Sequence, residues 1–382
     1  MSTKTPARHP WLPLAVGAAL LVTPALAFAV WPPPLDADMS KKENWPSDNG
    51  FAQGSVDDKG KTWISGGDWN LWSFVPEGKP GSGEWDQFAG FRQVEKKIGT
   101  GMHADRGWQK TVGDRKVLIA VLDSGIKWDA DDLVNKHYLN RKELPAPAEA
   151  CRGPNFKAED PWDADGDGIF NMLDYAKEDG NVVPKTSCDP KVSDVNKNGL
   201  LDPQDLIKVF SDGKDDDGNG YMDDISGWDF FRNDNDAYDD TRYGHGTGEA
   251  SDSTAEGNNG RGGLGICPEC THLPCRVGDS FVVDGNDFAA AVIFATDSGA
   301  SVVQEALGSL DRSHYADDAI NYAYDNNVVI IASAADELSF HHNMPGTTDH
   351  TVYVHAIVFD GANANHSTTF LNFNNCTNWG AH

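Results

Sequence analysis

Positively charged residues are scarce in this 382-residue sequence, which has 31 Lys and Arg against 59 Asp and Glu and a formal net charge of -28. That balance argues against nucleic acids and anionic membranes as partners, because both are negatively charged. Cysteine is also sparse, with six residues, and no stretch after residue 29 is apolar for long enough to span a bilayer. The apolar residues, 39% of the chain, suffice for a sizeable core, so wholesale disorder is excluded and metal cations are the expected partners.

Residues 1–29 have the organisation of a secretory signal peptide. A basic start precedes a largely apolar run from Leu12 to Leu26, and Ala27 and Ala29 form a small-x-small cleavage pattern. The alternative is an uncleaved anchor helix, but the apolar run is short for one. We therefore expect a secreted, periplasmic or cell-envelope protein with no stable membrane insertion after cleavage.

The six cysteines of an exported chain favour disulfides, whose connectivity the sequence leaves open. Cys267-Pro-Glu-Cys270 is compatible with a redox motif, a zinc motif or a local disulfide. No second Cys pair or His pair stands at zinc spacing, which favours the disulfide. Cys275 lies in an apolar, strand-like run and is expected in the core.

Apolar runs alternate with helical patterns through the second half of the chain. Val117 to Leu122 predicts a buried strand that ends at Asp123-Ser124-Gly125. The other predicted elements are strands over 273–277, 300–307, 328–332 and 351–357, and helices starting at His245 and over 286–298 and 316–326. This alternation predicts an α/β fold with a doubly wound parallel sheet.

Two residues stand in contexts typical of catalysis. Asp123 follows a buried strand, at the sheet edge where open α/β folds form their sites. His245 lies between glycines in Gly-His-Gly-Thr, which allows the backbone to approach the imidazole closely. A carboxylate that orients a histidine, which in turn activates a hydroxyl, is the logic of a catalytic triad. Either residue alone is as compatible with a structural role.

The order of these motifs resembles that of the subtilisin-like serine peptidases over residues 102–382. The segments that carry the resemblance are Ala104–Ile126, Gly244–Thr247, Gly265–Gly278, Gly299–Gly308 and Val328–Glu337. The resemblance implies a three-layer fold, a role for Asp123 in orienting His245, and a role for His245 as general base. It also implies that Leu307-Gly308 binds an extended polypeptide substrate by strand addition, and we expect a monomer.

Two features depart from the family pattern. The family nucleophile lies in a Gly-Thr-Ser motif, and this sequence has none after His245. We interpret the chain as truncated before the nucleophile, or alternatively as a degenerate homologue. Asp336 stands where the family usually has the oxyanion-hole asparagine, and an ionised carboxylate cannot donate a hydrogen bond. Asp336 would serve only if it were protonated, which a buried, negatively charged site favours.

Half of the net charge lies in residues 151–240, where acidic residues and glycines recur at ligand spacing. Two 12-residue windows match the calcium-binding loop, with oxygen ligands at positions 1, 3, 5, 9 and 12, a backbone carbonyl at 7 and Gly at 6. The first window provides Asp163, Asp165, Asp167, Ile169, Asn171 and Asp174. The second provides Asp194, Asn196, Asn198, Leu200, Asp202 and Asp205. Asp at position 12 reaches less far than Glu, which disfavours bidentate closure.

A third window fits the same template through position 9 but has Ser226 at position 12. Its candidate ligands are Asp215, Asp217, Asn219, Tyr221 and Asp223. A solvated acidic surface is the alternative for all three windows, but the regular spacing favours calcium. The windows also account for the sequence separation of 122 between Asp123 and His245, which exceeds what one strand-to-helix connection needs.

The sequence thus predicts a signal peptide (1–29), a Trp- and Gly-rich segment (30–101) and a peptidase domain (102–382) with an acidic calcium-binding insert (150–242). The leading hypothesis is a secreted, calcium-stabilised serine endopeptidase. The alternatives are a catalytically inactive calcium- and peptide-binding homologue and a purely structural cell-envelope module. The last gives no role to Asp123 and His245. Residues 30–101 are either a propeptide or an arm on the peptidase domain.

Overall fold

In a computed structural model of the chain, the structure describes residues 30–39, 41–48, 51, 69–71, 73, 101–177, 183–279, 282–309, 312–335 and 343–355. The predicted signal peptide, Asp336 and Cys376 lie outside the described residues, as does most of the Trp- and Gly-rich segment.

A parallel β-sheet forms the centre of the fold. Within the described residues its strands are β1 (Leu118–Asp123), β2 (Trp228–Asp229), β3 (Thr271–Arg276), β4 (Val302–Glu305), β5 (Val329–Ser333) and β6 (Thr351–Val354). Their order is β2-β3-β1-β4-β5-β6, and every pairing is parallel. The chain adds strands to both sides of β1, so the prediction of a parallel α/β sheet is confirmed.

The helices are α1 (Ala104–Trp108), α2 (Pro203–Phe210), α3 (His245–Thr254), α4 (Gly285–Asp297) and α5 (His314–Asp325). Short 3-10 helices occur at Lys42–Asn44, Trp69–Leu71, Glu149–Cys151 and Met172–Tyr175. The predicted elements of the second half occur within a few residues of their expected bounds. Strand β2 and helix α2 were not predicted, and both lie within the acidic insert.

Helices α4 and α5 form because their sequences combine caps with an apolar face. The side chain of Asp284 accepts a hydrogen bond from the Asn286 amide and caps α4, and Ser313 caps α5 in the same way. In α4, Phe288 and Val292 are four residues apart and fully buried against the sheet. Burial of each such side chain stabilises the fold by about 1.5–3 kcal/mol.

The alternation of side chains along β1 creates a separate core on each face of the sheet. Ala120 and Leu122 belong to the large cluster formed with α4 and α5. Val121 points the other way and packs with Ala250 of α3. Helix α3 therefore lies on the opposite face from α4 and α5, and its first turn comes close to the carboxyl end of β1.

The acidic insert is more than a solvated surface. Its apolar residues form a cluster with the chain that precedes it, and this cluster includes Trp128, Tyr175, Leu206 and Ile225. Helix α2 contributes Leu206 to that cluster, and a disulfide joins Cys151 to Cys188 within the insert. The acidic loops are therefore attached to a packed support.

The described parts of the Trp- and Gly-rich segment pack against α1. Met39, Trp45, Phe51 and Leu71 form one cluster with the buried Trp108. The domain boundaries drawn from the sequence, and the role of this segment, remain predictions. Among the described residues there is no helix with the length and apolar character required to cross a membrane.

Candidate active site

Asp123 and His245 form a direct hydrogen-bonded pair at the carboxyl end of β1. Nδ1 of His245 lies 2.8 Å and 3.0 Å from the two carboxylate oxygens of Asp123. Asp123 is 1% exposed, and its Oδ1 also accepts the Ser124 amide at 2.7 Å. A carboxylate at Nδ1 places the imidazole proton there and leaves Nε2 with a lone pair. His245 can therefore act as a general base at Nε2.

The close approach of α3 to β1 depends on Gly246. A Cβ atom at this position would lie 2.3 Å from the carbonyl oxygen of Gly125 and 2.9 Å from Cβ of Asp123. The Gly246 amide donates to the hydroxyl of Ser124 at 3.0 Å. The Gly-His-Gly pattern predicted a close backbone approach, and the structure gives its location.

Asp239 is a second buried carboxylate of the site, and its contacts fix the start of α3. It was not predicted from the sequence. Asp239 is fully buried, and its Oδ2 accepts the hydroxyl of Thr247 at 2.7 Å. Its Oδ1 accepts the hydroxyls of Ser124 and Thr241. Asp239 therefore connects the loop after β1 to the first turn of α3. The sequence provided no signal for it, since it is one of many acids in that region.

The structure also places Glu249 beside His245. Its Oε1 lies 3.8 Å from Nε2 of the imidazole, one helical turn along α3. Burial, and next the charge of Asp123, raise the pKa of the Glu249 carboxyl. His245 and Glu249 are four residues apart on a predicted helix, and such residues share a helix face. This spacing was the feature of the sequence from which their proximity could have been predicted.

Leu307 and Gly308, the predicted substrate-binding residues, follow β4 and are held by intramolecular contacts. The Leu307 carbonyl accepts the side-chain amide of Asn343 at 3.2 Å, and the Gly308 carbonyl accepts the Val283 amide at 2.9 Å. Pairing of this segment with a substrate stays a prediction. Asp336, the third candidate catalytic residue, lies outside the described residues.

The three acidic windows share one backbone conformation. In each, the carboxylate at position 1 accepts the amide of the position 6 glycine: Asp163 from Gly168, Asp194 from Gly199, and Asp215 from Gly220. Those glycines have φ of 93°, 92° and 96°, a region that favours glycine. The side-chain oxygen at position 3 accepts the position 5 amide in Asp165–Asp167, Asn196–Asn198 and Asp217–Asn219. The position 5 oxygen accepts the amide of Ile169, Leu200 or Tyr221 at position 7.

The first window brings three carboxylates together. Ligand oxygens of Asp163, Asp165 and Asp174 all lie within 4.8 Å of one another. Oδ1 of Asp163 is buried without a hydrogen-bond partner, and burial raises the pKa of Asp174 to about 8. A buried carboxylate oxygen with no donor fits a bound cation. Asn171 uses its side-chain oxygen to cap the following 3-10 helix.

The second window has the same closure but fewer charges. Oδ1 of Asp205 accepts the amides of Val195 and Asn196, as Oδ1 of Asp174 accepts those of Ala164 and Asp165 in the first window. Asp202 caps α2 through the Gln204 amide. The side-chain amides of Asn196 and Asn198 donate to Asp202, which links three residues of this window by hydrogen bonds.

The third window is closed by a residue from outside its sequence. Oε1 of Glu143 accepts the amides of Asp216 and Asp217, which is the role of the position 12 residue in the other windows. Glu143, Asp217 and Asp224 have ligand oxygens within 4.8 Å of one another. The structure does not bring Asp223 to this cluster, since its carboxylate accepts the amides of residues 212 and 213.

Glu143 and Asp224 were not among the ligands predicted from the sequence. Asp224 could have been predicted from the calcium-loop template, because it is adjacent to the expected ligand at position 9. Glu143 could not have been predicted in this way, because it lies far upstream of the third window and only tertiary folding brings it to that window. Ser226, at position 12, instead donates its hydroxyl to the Tyr138 carbonyl.

The cysteines of the described residues have structural roles. Cys267 and Cys270 form a disulfide, as the absence of a second zinc-spaced pair favoured. Cys275 in β3 is free and buried, in agreement with its expected place in the core.

Comparison with known proteins bears directly on the Asp123–His245 pair. A sequence model of the Subtilase family matches residues 114–381, which include both residues and every strand of the sheet. The chain belongs to the subtilase family. The matched range contains Asp123 and His245, whose side chains are in hydrogen-bond contact.

The similarity of this subtilase to individual proteins is partial. A thermophilic serine proteinase of Bacillus sp. (strain AK1) is 34% identical over 137 residues, which cover 35% of this chain and 33% of that protein. Thermitase of Thermoactinomyces vulgaris is 31% identical over 131 residues, 34% of this chain and 46% of that protein. The solved structure of the prenylagaramide maturation protease PagA aligns with 73% of this chain and 64% of the protease chain, with 16% sequence identity and a TM-score of 0.40. The chain thus spans less than half the length of these two curated relatives.

Proposed function

We propose that this subtilase is a secreted, calcium-stabilised serine endopeptidase in which Asp123 orients His245 and His245 is the general base. The observation that carries the proposal is the contact of Nδ1 of His245 with both oxygens of a buried carboxylate at the end of β1. In peptide hydrolysis by this route, Nε2 takes the proton of a serine hydroxyl as that hydroxyl attacks the peptide carbonyl. The same imidazolium then protonates the leaving amine, and water hydrolyses the acyl-enzyme.

The nucleophile of this proposal is not assigned to a residue of the present sequence. No Gly-Thr-Ser motif follows His245 in residues 1–382. We propose that the seryl group comes from sequence beyond these residues, and that Asp336 serves the oxyanion in its protonated form. A protonated carboxyl can donate the hydrogen bond that the family obtains from asparagine.

Calcium is proposed to stabilise the acidic insert by occupying the first and third windows. The ligands would be Asp163, Asp165 and Asp174 in the first window and Glu143, Asp217 and Asp224 in the third. Carboxylate oxygens are the ligands that calcium prefers, and the unpartnered Oδ1 of Asp163 supports an ion there. The ion's contribution is structural, because it offsets repulsion among carboxylates that the fold brings together. We extend the proposal to the second window because its turn has the same hydrogen bonds and a similar φ at the position 6 glycine.

Secretion is supported by the N-terminal sequence and by the disulfides. The bonds Cys151–Cys188 and Cys267–Cys270 are of the kind that persist in oxidising compartments. We propose that the protein acts outside the cytoplasm, where calcium is abundant, on polypeptide substrates.

Activity measurements test the peptidase proposal. The complete reading frame that contains this chain is expressed with Asp123→Asn, His245→Ala or, as a control, Asp131→Asn, which removes a charge on the exposed surface after β1. We expect Asp123→Asn to lower kcat on an unstructured protein substrate about 10⁴-fold, because an asparagine amide can donate to Nδ1 and so favours the tautomer that has its proton on Nε2, and the control to retain wild-type kcat. The rate at which a fluorophosphonate labels the nucleophilic serine should decrease in the same variants that lower kcat.

Two outcomes would contradict the peptidase proposal. Hydrolysis that survives both Asp123→Asn and His245→Ala would assign catalysis to other residues. No hydrolysis and no fluorophosphonate labelling, together with calcium-dependent binding of peptides, would identify the inactive peptide-binding homologue instead.

A further inference from the structure

Glu249 is a charged side chain beside His245 for which a triad has no role. Its Oε1 lies 3.8 Å from Nε2 of His245, whereas Asp123 contacts Nδ1 on the other side of the ring. The Glu249 side chain is 28% exposed and lines a cavity of about 480 Å³ between α3 and strands β4 and β5. The imidazole therefore has a carboxylate near each of its nitrogens.

The position of Glu249 is set by the sheet. The side-chain amide of Gln304, on β4, donates to Oε2 of Glu249 at 2.7 Å. The oxygen of the same amide accepts the hydroxyl of Ser253, one turn along α3. These contacts hold one carboxylate oxygen against the sheet and direct the other toward the imidazole. A side chain with such support has few alternative rotamers.

The charges that face Glu249 come from three elements. Asp123 faces it from β1, Glu305 from β4, and Asp252 and His245 from α3 itself. His355, after β6, lines the same cavity. Burial and then the charge of Asp123 raise the pKa of Glu249, and the charge of His245 opposes that rise. Among Asp123, Glu305, Asp252 and His245, the group that is able to carry a positive charge is His245.

We propose that Glu249 is a positioning residue that stabilises the imidazolium form of His245 through Nε2 and thereby sets the pH range of the enzyme. The inference rests on the proposed function for the role of the imidazole. A carboxylate at this place favours the imidazolium that forms when the nucleophile loses its proton. It also raises the pH at which the neutral, base form of His245 becomes available.

Titration of His245 by nuclear magnetic resonance tests the inference without any need for hydrolysis. The ring C–H signals of the 382-residue chain are followed from pH 4 to 9 in the wild type, in Glu249→Gln, and in Asp252→Asn as a control. Asp252→Asn makes the same change of charge on the same helix, but seven residues, or about 10 Å, from His245. We expect Glu249→Gln to lower the titration midpoint of the imidazole by about one pH unit, and the control to lower it by less than a third of that.

Two observations separate positioning from packing. A merely structural role for Glu249 would lower the melting temperature of the variant and leave the His245 midpoint where it was, and that result would overturn the proposal. In the wild type, the Glu249 carboxyl carbon should report two titration steps, its own and that of His245, because the two groups are coupled. A single step there would also overturn it, even if the variant did not fold.

The hydrolytic consequence is measured on the complete reading frame. Glu249→Gln should lower kcat and shift the acidic limb of the kcat/KM profile toward lower pH. A lower kcat with an unmoved acidic limb would contradict the proposal. If the complete protein hydrolyses nothing, the proposed function fails, but the titration of His245 still decides the role of Glu249.

Discussion

Gly246 lies where the first turn of α3 meets the loop after β1, and we predict that Gly246→Ala uncouples His245 from Asp123. A methyl group at this position would lie 2.3 Å from the Gly125 carbonyl oxygen, whereas real Cβ atoms essentially never come within 3.0 Å of another heavy atom. The obstructing atom belongs to the backbone, so no side-chain rotation relieves the contact. The helix start must therefore move by about 0.7 Å or more.

That movement is large on the scale of the site. The Nδ1–Oδ1 distance is 2.8 Å, and an increase of about 0.7 Å would bring it to the limit of a hydrogen bond. The Gly246 amide would also leave the Ser124 hydroxyl. Overpacking of this kind costs about 1–3 kcal/mol of unfolding free energy.

Gly248, two residues along the same helix, provides the matched control. A Cβ atom there has no other heavy atom within 4 Å, and the residue is exposed. Gly248→Ala should therefore stabilise α3 by about 1 kcal/mol, because alanine favours the helix over glycine. The two variants add the same methyl group and are expected to act in opposite directions.

The assay combines denaturant unfolding in excess calcium with proton resonance spectroscopy. The Nδ1 proton of His245, bonded to a buried carboxylate, should give a downfield signal in the wild type and in Gly248→Ala, and that signal should be lost in Gly246→Ala. If Gly246→Ala kept the signal and its unfolding free energy stayed within about 0.5 kcal/mol of wild type, the close approach of α3 to β1 would not be what positions His245.

Three further predictions concern other parts of the molecule. Calcium at 100 times its Kd should stabilise the wild type by about 2.7 kcal/mol, which calorimetry would detect as a higher melting temperature. Glu143→Gln should reduce that rise in melting temperature. Glu149→Gln, which changes an exposed carboxylate, should leave the rise unchanged. Burial lowers the pKa of Lys136 to about 7. The unfolded chain therefore binds more protons between pH 7 and about 10.5, so unfolding free energy should rise with pH there by up to about 1.4 kcal/mol per unit, a slope that Lys136→Met removes. In the complete protein, Asp336→Asn should raise kcat at high pH, where a protonated carboxyl is lost.

Each of these has an outcome that would refute it. Equal calcium-induced shifts in Glu143→Gln and wild type would remove Glu143 from the third window, and an unchanged melting curve in excess chelator would remove the metal altogether. A Lys136→Met variant with the wild-type pH slope would mean that other groups set it. An Asp336→Asn variant with no gain at high pH would show that the carboxyl does not limit the oxyanion site.

The three acidic windows show how far a local pattern can be interpreted. Their spacing predicted ligand oxygens and a glycine at position 6, and the structure has the same turn in each, with φ above 90° at Gly168, Gly199 and Gly220. Every contact of that turn joins residues within one window, so the local sequence contains what is needed to form it. The third window lacks its own position 12 ligand, and Glu143 fills that place only because the chain folds back.

The environment of His245 was predictable in part. A buried strand before Asp123 and a glycine-flanked histidine at a helix start were visible in the sequence, and the family pattern paired them across 122 residues. The contributions of Gln304 and Asp239 were not visible, because a buried amide or carboxylate is recognised by its partners and not by its neighbours in sequence. Glu249 lies between these cases, since helical spacing places it on the face of His245 but does not give its distance from Nε2.

By itself, the sequence determined the parallel α/β sheet, the position of Asp123 at a strand end, the start of α3 at His245 and the turns of the acidic windows. These follow from hydrophobic periodicity, capping and glycine placement, which act over a few residues. Only the tertiary structure decided that Glu143 closes the third window, that Gly246 must lack a side chain, and that a second carboxylate lies near Nε2 of His245. Those features depend on contacts between segments far apart in the chain, whose distances are set by how the layers pack.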